Sequence, residues 1–281
     1  MNGTIARGLA LAAALGAVAQ AAAEELKIGG SGGPTASLGP VAEAFHKRNP
    51  HILPILNPSL GTRGGIRAAA EGALHVGVIS RALSPAEAVG LVQVEFGRTP
   101  LVFATSRDKA TGISLREIVA IHRGEINAWP DGSRLRLVLR PPADSDTLVL
   151  RALSEDLRKA SIEAERREGM VVAITDLENA DRIEEIPGAL GTTTLGLIMT
   201  QKRAFRPLAL DGIEPSVENA MAGRYPLHKR FYAIVRQPPS NAAQSFIRFL
   251  QSPPAHEILR KNGHWIPQRD PKDASRATPE R

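Results

Sequence analysis

Short apolar, strand-like runs alternate with helix-like patterns along most of the chain, which leaves few folds open. Residues 25–29 read as a first strand stopped by glycine, and residues 38–47 as a helix with Val41, Ala44 and Phe45 on one face. Residues 51–56 are strand-like, 65–72 a short helix and 75–79 a buried strand. Ser84 and Pro85 read as a helix start, with serine at the cap and proline in the first turn. Further on, 92–105 holds two extended runs around Gly97. Helices are expected at 114–123, 147–155 and 157–168, and strands at 135–139, 171–174 and 189–197. Residues 224–235 read as extended, and 241–250 and 255–261 as helices. Such alternation predicts an α/β fold, a mostly parallel sheet covered by helices.

The first residues read as a targeting signal rather than as part of that fold. One cation, Arg7, precedes an apolar run at residues 9–19. Ala19-Gln20-Ala21 and Ala21-Ala22-Ala23 then supply small residues for a signal peptidase, and the first acids, Glu24 and Glu25, follow at once. The apolar run is too short to span a bilayer, which takes about 20 residues. Residues 1–23 are therefore expected to be a cleaved signal peptide. There is no cysteine, which rules out disulfides, thiol catalysis and a lipid-anchored cysteine at the cleavage point.

The net charge is +6, a mild excess that suits an anionic ligand and equally suits an ordinary solvated surface. Aromatic residues are 4% of the chain and the cations are dispersed, so no basic stacking platform for nucleic acid is expected. The histidines have no metal-site spacing. No cofactor is expected, and an enzyme is not: a hydrolase built on Ser145 lacks a histidine base nearby in sequence.

Three glycine- or hydroxyl-rich loops precede expected helices: Gly29-Gly-Ser-Gly-Gly-Pro-Thr35-Ala-Ser37, Gly61-Thr62-Arg63-Gly64-Gly65, and Arg140-Pro-Pro-Ala-Asp144-Ser145-Asp146-Thr147. A helix start presents unpaired N–H groups and partial positive charge, glycine allows close approach, and hydroxyls add neutral donors. Three such starts facing one point would cage a tetrahedral oxyanion, with Arg140 adding a bidentate charge. Each loop alone is also an ordinary capped turn.

The order of these segments resembles the phosphate-binding proteins of bacterial high-affinity ABC phosphate transporters. Thr35-Ala-Ser37-Leu-Gly-Pro40 is similar to that family's Ser-Ser-Thr-x-x-Pro loop, and Gly61-Thr62-Arg63-Gly64-Gly65-Ile66 to its Gly-Ser-Gly-Gly-Gly-Ile segment. Gly72-Ala-Leu-His-Val-Gly77-Val-Ile-Ser80-Arg81 is similar to its Gly-x-x-Asp-Ile-Gly-x-Ala-Ser-Arg segment. Arg123-Gly-Glu-Ile-Asn-Ala-Trp129 resembles the end of its Phe-x-Gly-x-Ile-x-x-Trp segment, and Ser145-Asp146-Thr147 its Ser-Gly-Thr anion loop. Pro187-Gly-Ala-Leu-Gly191 and Tyr225-Pro-Leu227 resemble two later segments, so the likeness runs from about residue 26 to residue 267.

The resemblance implies a two-lobed type II periplasmic binding protein fold with a hinge and an inter-lobe ligand cleft. It implies a monomeric, periplasmic solute-binding protein that hands a small oxyanion, phosphate first, to an ABC permease in the inner membrane. One lobe is expected from residues 24–100 plus about 205–267, the other from 101–204, with a disordered tail at 268–281. Carried over residue by residue, the ligand contacts would be Thr35, Ala36, Ser37, Thr62, Ser80, Arg140, Ser145 and Thr147. Asp146 departs from the family's glycine. A carboxylate there repels a dianion unless the ligand carries a proton for it to accept, which would favour hydrogenphosphate over sulfate. The competing readings make Asp146 an outward helix cap, or the site one for a neutral or cationic ligand; for the whole chain the alternatives are a binder of another oxyanion or an exported sensor with no transporter. Arg63 is read as a rim residue, and Arg81 is left open between site and rim.

Overall fold

A computed structural model describes residues 23–267 except Lys109; the expected signal peptide and C-terminal tail lie outside the described residues, apart from Ala23. The elements run β1 (Glu24–Gly30), α1 (Gly32–Ser37), α2 (Gly39–Arg48), β2 (Ile52–Leu56), α3 (Gly61–Ala70), β3 (Val76–Ile79) and β4 (Leu91–Thr105). Then come β5 (Gly112–Ile113), α4 (Leu115–Arg123), β6 (Arg136–Leu139), α5 (Ser145–Leu153), α6 (Glu155–Arg166), β7 (Val171–Val172) and α7 (Asp176–Glu185). The chain ends with β8 (Ala189–Thr194), α8 (Leu195–Gln201), β9 (Arg206–Pro207), β10 (Ala209–Leu210), α9 (Val217–Met221), β11 (His228–Arg236), α10 (Asn241–Leu250) and α11 (Pro253–Lys261).

The long strand β4 explains why the protein has two lobes. Its first part, Leu91 to Pro100, pairs antiparallel with β11, and β11 continues onto β3, β1 and β2. Its second part, Leu101 to Ala104, pairs antiparallel with β8, which carries β6 and β7 in parallel. One strand thus feeds two half-sheets. Each half has its own apolar core: Leu26, Ile28, Phe45, Val76, Phe231 and Phe246 in the first, and Leu101, Phe103, Ile118, Leu137, Leu190 and Leu208 in the second. The lobes are α/β throughout, with helices flanking a mixed sheet.

Residues 205–227, expected with the first lobe, pair and pack with the second. β9 adds to Ala104–Thr105 and β10 to β5, while Leu208, Leu210, Tyr225 and Leu227 join the second core. The return to the first lobe comes beside the outward crossing, where the Leu101 N–H donates to the Leu227 carbonyl at 3.1 Å. Thr99 ties this crossing together. Its buried hydroxyl accepts from the Gly196 N–H at 2.9 Å and donates to the Gly263 carbonyl at 2.8 Å. The C-terminal segment adds Trp265, whose backbone exchanges two hydrogen bonds with Arg98.

Four further expectations need correction. Residues 84–90 form a turn, not a helix start: Glu87 caps Ser84 but spends its carboxylate on Arg81 as well, and β4 begins at Leu91, leaving no length for a helix to propagate. The glycine-rich stretch after β1 is a short helix rather than a loop, and α3 starts at Gly61 rather than Gly65. The strand expected at 189–197 stops at Thr194, whose side chain caps α8 by accepting from the Leu197 N–H.

Candidate functional site

The C-terminal end of β1 turns sharply into α1. Gly30 adopts φ +139, and a Cβ there would stand 2.2 Å from the Val78 carbonyl oxygen, so only glycine lets β1 and β3 meet and still turn. Ser31 follows at the N-cap position without capping its own helix. Its hydroxyl instead bonds the Ser80 hydroxyl at 2.8 Å and donates to Asp176 at 3.4 Å. Thr62, in the first turn of α3, accepts from the Ser80 N–H at 3.5 Å. Ser31, Thr62 and Ser80 thus form one hydroxyl cluster where β1 and β3 end and α3 begins.

The second lobe faces this cluster with charge. Arg140, at the end of β6, is buried and makes three contacts: Asp144 at 2.9 Å, the Ala173 carbonyl at 2.9 Å and Asp176 at 3.6 Å. Asp144 also caps α5 by accepting from the Asp146 N–H at 2.9 Å. Asp146 is buried and ion-paired to Lys229 of β11, whose side chain is wholly buried. Thr192 of β8 donates to the other Asp146 oxygen at 3.5 Å. Lys229 reaches Asp176 at 4.0 Å.

Asp176 completes the arrangement. It stands in the first turn of α7 in the second lobe, yet its carboxylate lies against Gly32 and Gly33 at the start of α1 in the first, where their N–H groups favour its anion. A Cβ on Gly32 would lie 2.9 Å from an Asp176 oxygen, so the missing side chain makes room for the carboxylate. The cluster therefore holds three carboxylates and two cations, all largely shielded from water, and the Lys229 pairs with Asp146 and Asp176 cross between the lobes. Burial pushes the Asp146 carboxyl up to about 6, opposed by Lys229 and reinforced by Asp144 and Asp176. Burial also disfavours the Asp176 anion, but Lys229, Arg140 and the two N–H groups win and hold its carboxyl below the usual range. Arg140 and Lys229 are held above their ordinary values, because the carboxylates around them outweigh the cost of burial.

Among the residues singled out from sequence, the structure brings Thr62, Ser80, Arg140 and Asp146 to this locus. The others are oriented differently. Thr35 and Ser37 donate to the Ser31 and Gly33 carbonyls of their own turn, at 2.7 and 3.1 Å. Ala36 lies between them on α1. Thr147 donates to the Arg140 carbonyl at 3.3 Å, which ties α5 to β6. Ser145 opens α5 next to Asp146. Arg81 spends its guanidinium on Glu87, with both nitrogens at 2.7 Å.

Ser31, Asp176, Thr192 and Lys229 were not singled out. Lys229 had a readable signal: it shares the buried face of β11 with Phe231, Ala233 and Val235 at a spacing of two. Asp176 had none, since an acid following Thr175 looks like ordinary first-turn charge. Among the described residues, no group of three or more His, Cys, Asp or Glu is placed to hold a metal ion, and no helix is long and apolar enough to cross a membrane.

The chain is 25% identical to the phosphate-binding protein PstS of Bacillus subtilis (strain 168) over 243 residues, which is 82% of this chain and 76% of that protein. By structure it is similar to a Clostridium perfringens candidate phosphate ABC transporter substrate-binding protein with phosphate bound, at TM-score 0.71 and 22% identity, covering 87% of this chain and all of that one. It is also similar to the periplasmic molybdate-binding protein of Azotobacter vinelandii, at TM-score 0.63 and 17% identity, covering 86% of this chain and all of that one. The two structural likenesses share the two-lobed α/β fold described above. With residues 16–254 matching the family described as PBP superfamily domain, the chain belongs to that family.

Proposed function

We propose that this protein is an exported solute-binding protein that captures a small oxyanion, phosphate foremost, between its lobes and delivers it to an ABC permease in the inner membrane. One observation carries the reading: hydroxyls from three first-lobe elements, a buried arginine from the second lobe and a buried lysine converge on Asp176, with Ser31 as the hydroxyl that reaches it. The ligand site consists of Ser31, Thr62, Ser80 and Arg140, with the α1 and α5 turns around Thr35, Ala36, Ser37, Ser145 and Thr147 as its frame. Asp146 accepts a hydrogen bond from the O–H of a protonated oxyanion. The PstS relative and the phosphate-bound structural neighbour support phosphate, and the molybdate-binding neighbour supports an oxyanion site more generally. The lobes are residues 24–100 with 228–267, and residues 101–227; the hinge is the paired crossing at Leu101 and Leu227. Export to the periplasm follows from the leader-like N-terminus.

Thermal melting against a panel of oxyanions tests this. A ligand at about 100 times its Kd adds about 2.7 kcal/mol, or about 5–10 °C for a protein of this size. Phosphate should give such a shift, and a panel with no shift at millimolar concentration refutes the proposal. A second reading has one specific observation in its favour: the donors are already satisfied by the chain's own carboxylates. On that reading the fold carries a locked ion network and serves as an exported sensor or partner-binding protein. The same flat melting panel, with an intact fold, is its expected outcome.

A further inference from the structure

Asp176 makes the contacts expected of a bound anion. Its carboxylate takes the Ser31 hydroxyl, lies against Gly32 and Gly33 at the start of α1, and sits in the field of two buried cations. Its own helix does not need it for this, because Thr175 caps α7 by accepting from the Glu178 N–H at 3.1 Å. Gly32 leaves the space its carboxylate fills. The fit is incomplete. A carboxylate has two oxygens where a tetrahedral oxyanion has four, and the buried Ser59 hydroxyl, 3.1 Å from where a Gly32 Cβ would stand, has no partner. The charge is also in excess: Asp144, Asp146 and Asp176 face only Arg140 and Lys229 in this cluster.

We infer that Asp176 is a tethered internal anion, which holds the lobes together in the absence of ligand and which an incoming oxyanion must displace. The inference rests on the oxyanion reading above and names the residue that sets the affinity of that site. A tethered competitor lowers apparent affinity by the fraction of molecules in which it has let go. Its loss therefore raises affinity without any new contact to the ligand.

The chain has no cysteine, so Leu60→Cys and Ile174→Cys, exposed residues flanking the cleft on the two lobes, accept a unique pair of spin labels. In this labelled parent without ligand, the distance between labels should be short and narrowly distributed. Adding Asp176→Ala should lengthen and broaden it, and inorganic phosphate should restore it. An unchanged distribution in the Asp176→Ala background overturns the inference. In the unlabelled protein, Asp176→Ala should bind phosphate at least tenfold more tightly than wild type by calorimetry; equal or weaker binding by a folded variant also overturns it. Should Asp176→Ala melt too low to titrate, Asp176→Asn keeps the size and removes the charge, with the same direction expected. If the distance responds to Asp176→Ala but phosphate binds neither protein, the internal anion stands and the phosphate reading is what fails.

Discussion

Replacing Lys229 by methionine removes one charge from the cluster while keeping the length and volume of the side chain. Asp146 would stay buried, with Thr192 at 3.5 Å as its remaining side-chain donor and with Asp144 and Asp176 nearby. Removing one partner of a buried pair costs about 3–5 kcal/mol, because the other charge is left without compensation. At about 2–4 °C per kcal/mol for a domain of this size, the melting temperature should fall by about 6–20 °C. The pH dependence has a definite sign. The Asp146 carboxyl sits above its unfolded value of 3.8, at about 6, so its contribution to stability is full below about 4 and is lost as pH rises through about 6. Without Lys229 its carboxyl rises further, so the variant's deficit should widen from pH 4 toward pH 8 and narrow on acidification. Asp176 has the opposite sign. Held below the ordinary carboxylate value, it stabilises above about pH 4, and that stability is lost as pH falls. Urea unfolding of wild type, Lys229→Met and Lys229→Met/Asp146→Leu across pH 4–8 reads both effects. The double variant should recover most of the loss, since an apolar pair of similar volume replaces a buried ion pair at little net cost. A Lys229→Met deficit under about 1 kcal/mol that does not change with pH would refute this account of the cluster.

Two further outcomes follow from single side chains. Thr99→Val keeps the shape at the lobe crossing but strands the Gly196 N–H and the Gly263 carbonyl; unfolding in urea should show a loss of about 2–4 kcal/mol, and a change within about 0.5 kcal/mol would show that the hydroxyl does not tie the crossing. Asp146→Asn should narrow the preference for phosphate over sulfate measured by calorimetry, because the proton acceptor is gone; an unchanged ratio would take Asp146 out of ligand selection.

The architecture was legible in the sequence wherever one element was enough to decide it. Helix α4 follows from Ser114 and Glu117, which form a reciprocal cap before an apolar face, and from Gly124, which ends the helix in the left-handed region. Helix α10 matches its expected bounds because Ser240 caps it and its apolar face repeats regularly. What could not be read depended on distant partners. Helix α1 begins Gly-Gly-Pro, a poor helix sequence, and forms where Ser31 is anchored to the Val78 carbonyl at 2.8 Å. Residues 205–227 carry no local signal for either lobe, and only Leu208, Tyr225 and Leu227 packing beside Leu101 decide it. At the site, the loops that look like anion cages were legible, but their occupant was not. Three hydroxyls there turn back onto their own backbone, and the charges that fill the space come from Lys229 and Asp176, 83 and 30 residues along the chain from Asp146.

A crystal structure of the protein grown in saturating phosphate tests the central claim most directly. The expected result is one tetrahedral anion between the lobes, held by Arg140, Ser31 or Ser80 and the N–H groups of Gly32 and Gly33, with the Asp176 carboxylate moved off those groups. Phosphate found only on outer surfaces, with Asp176 still seated on α1, would contradict it.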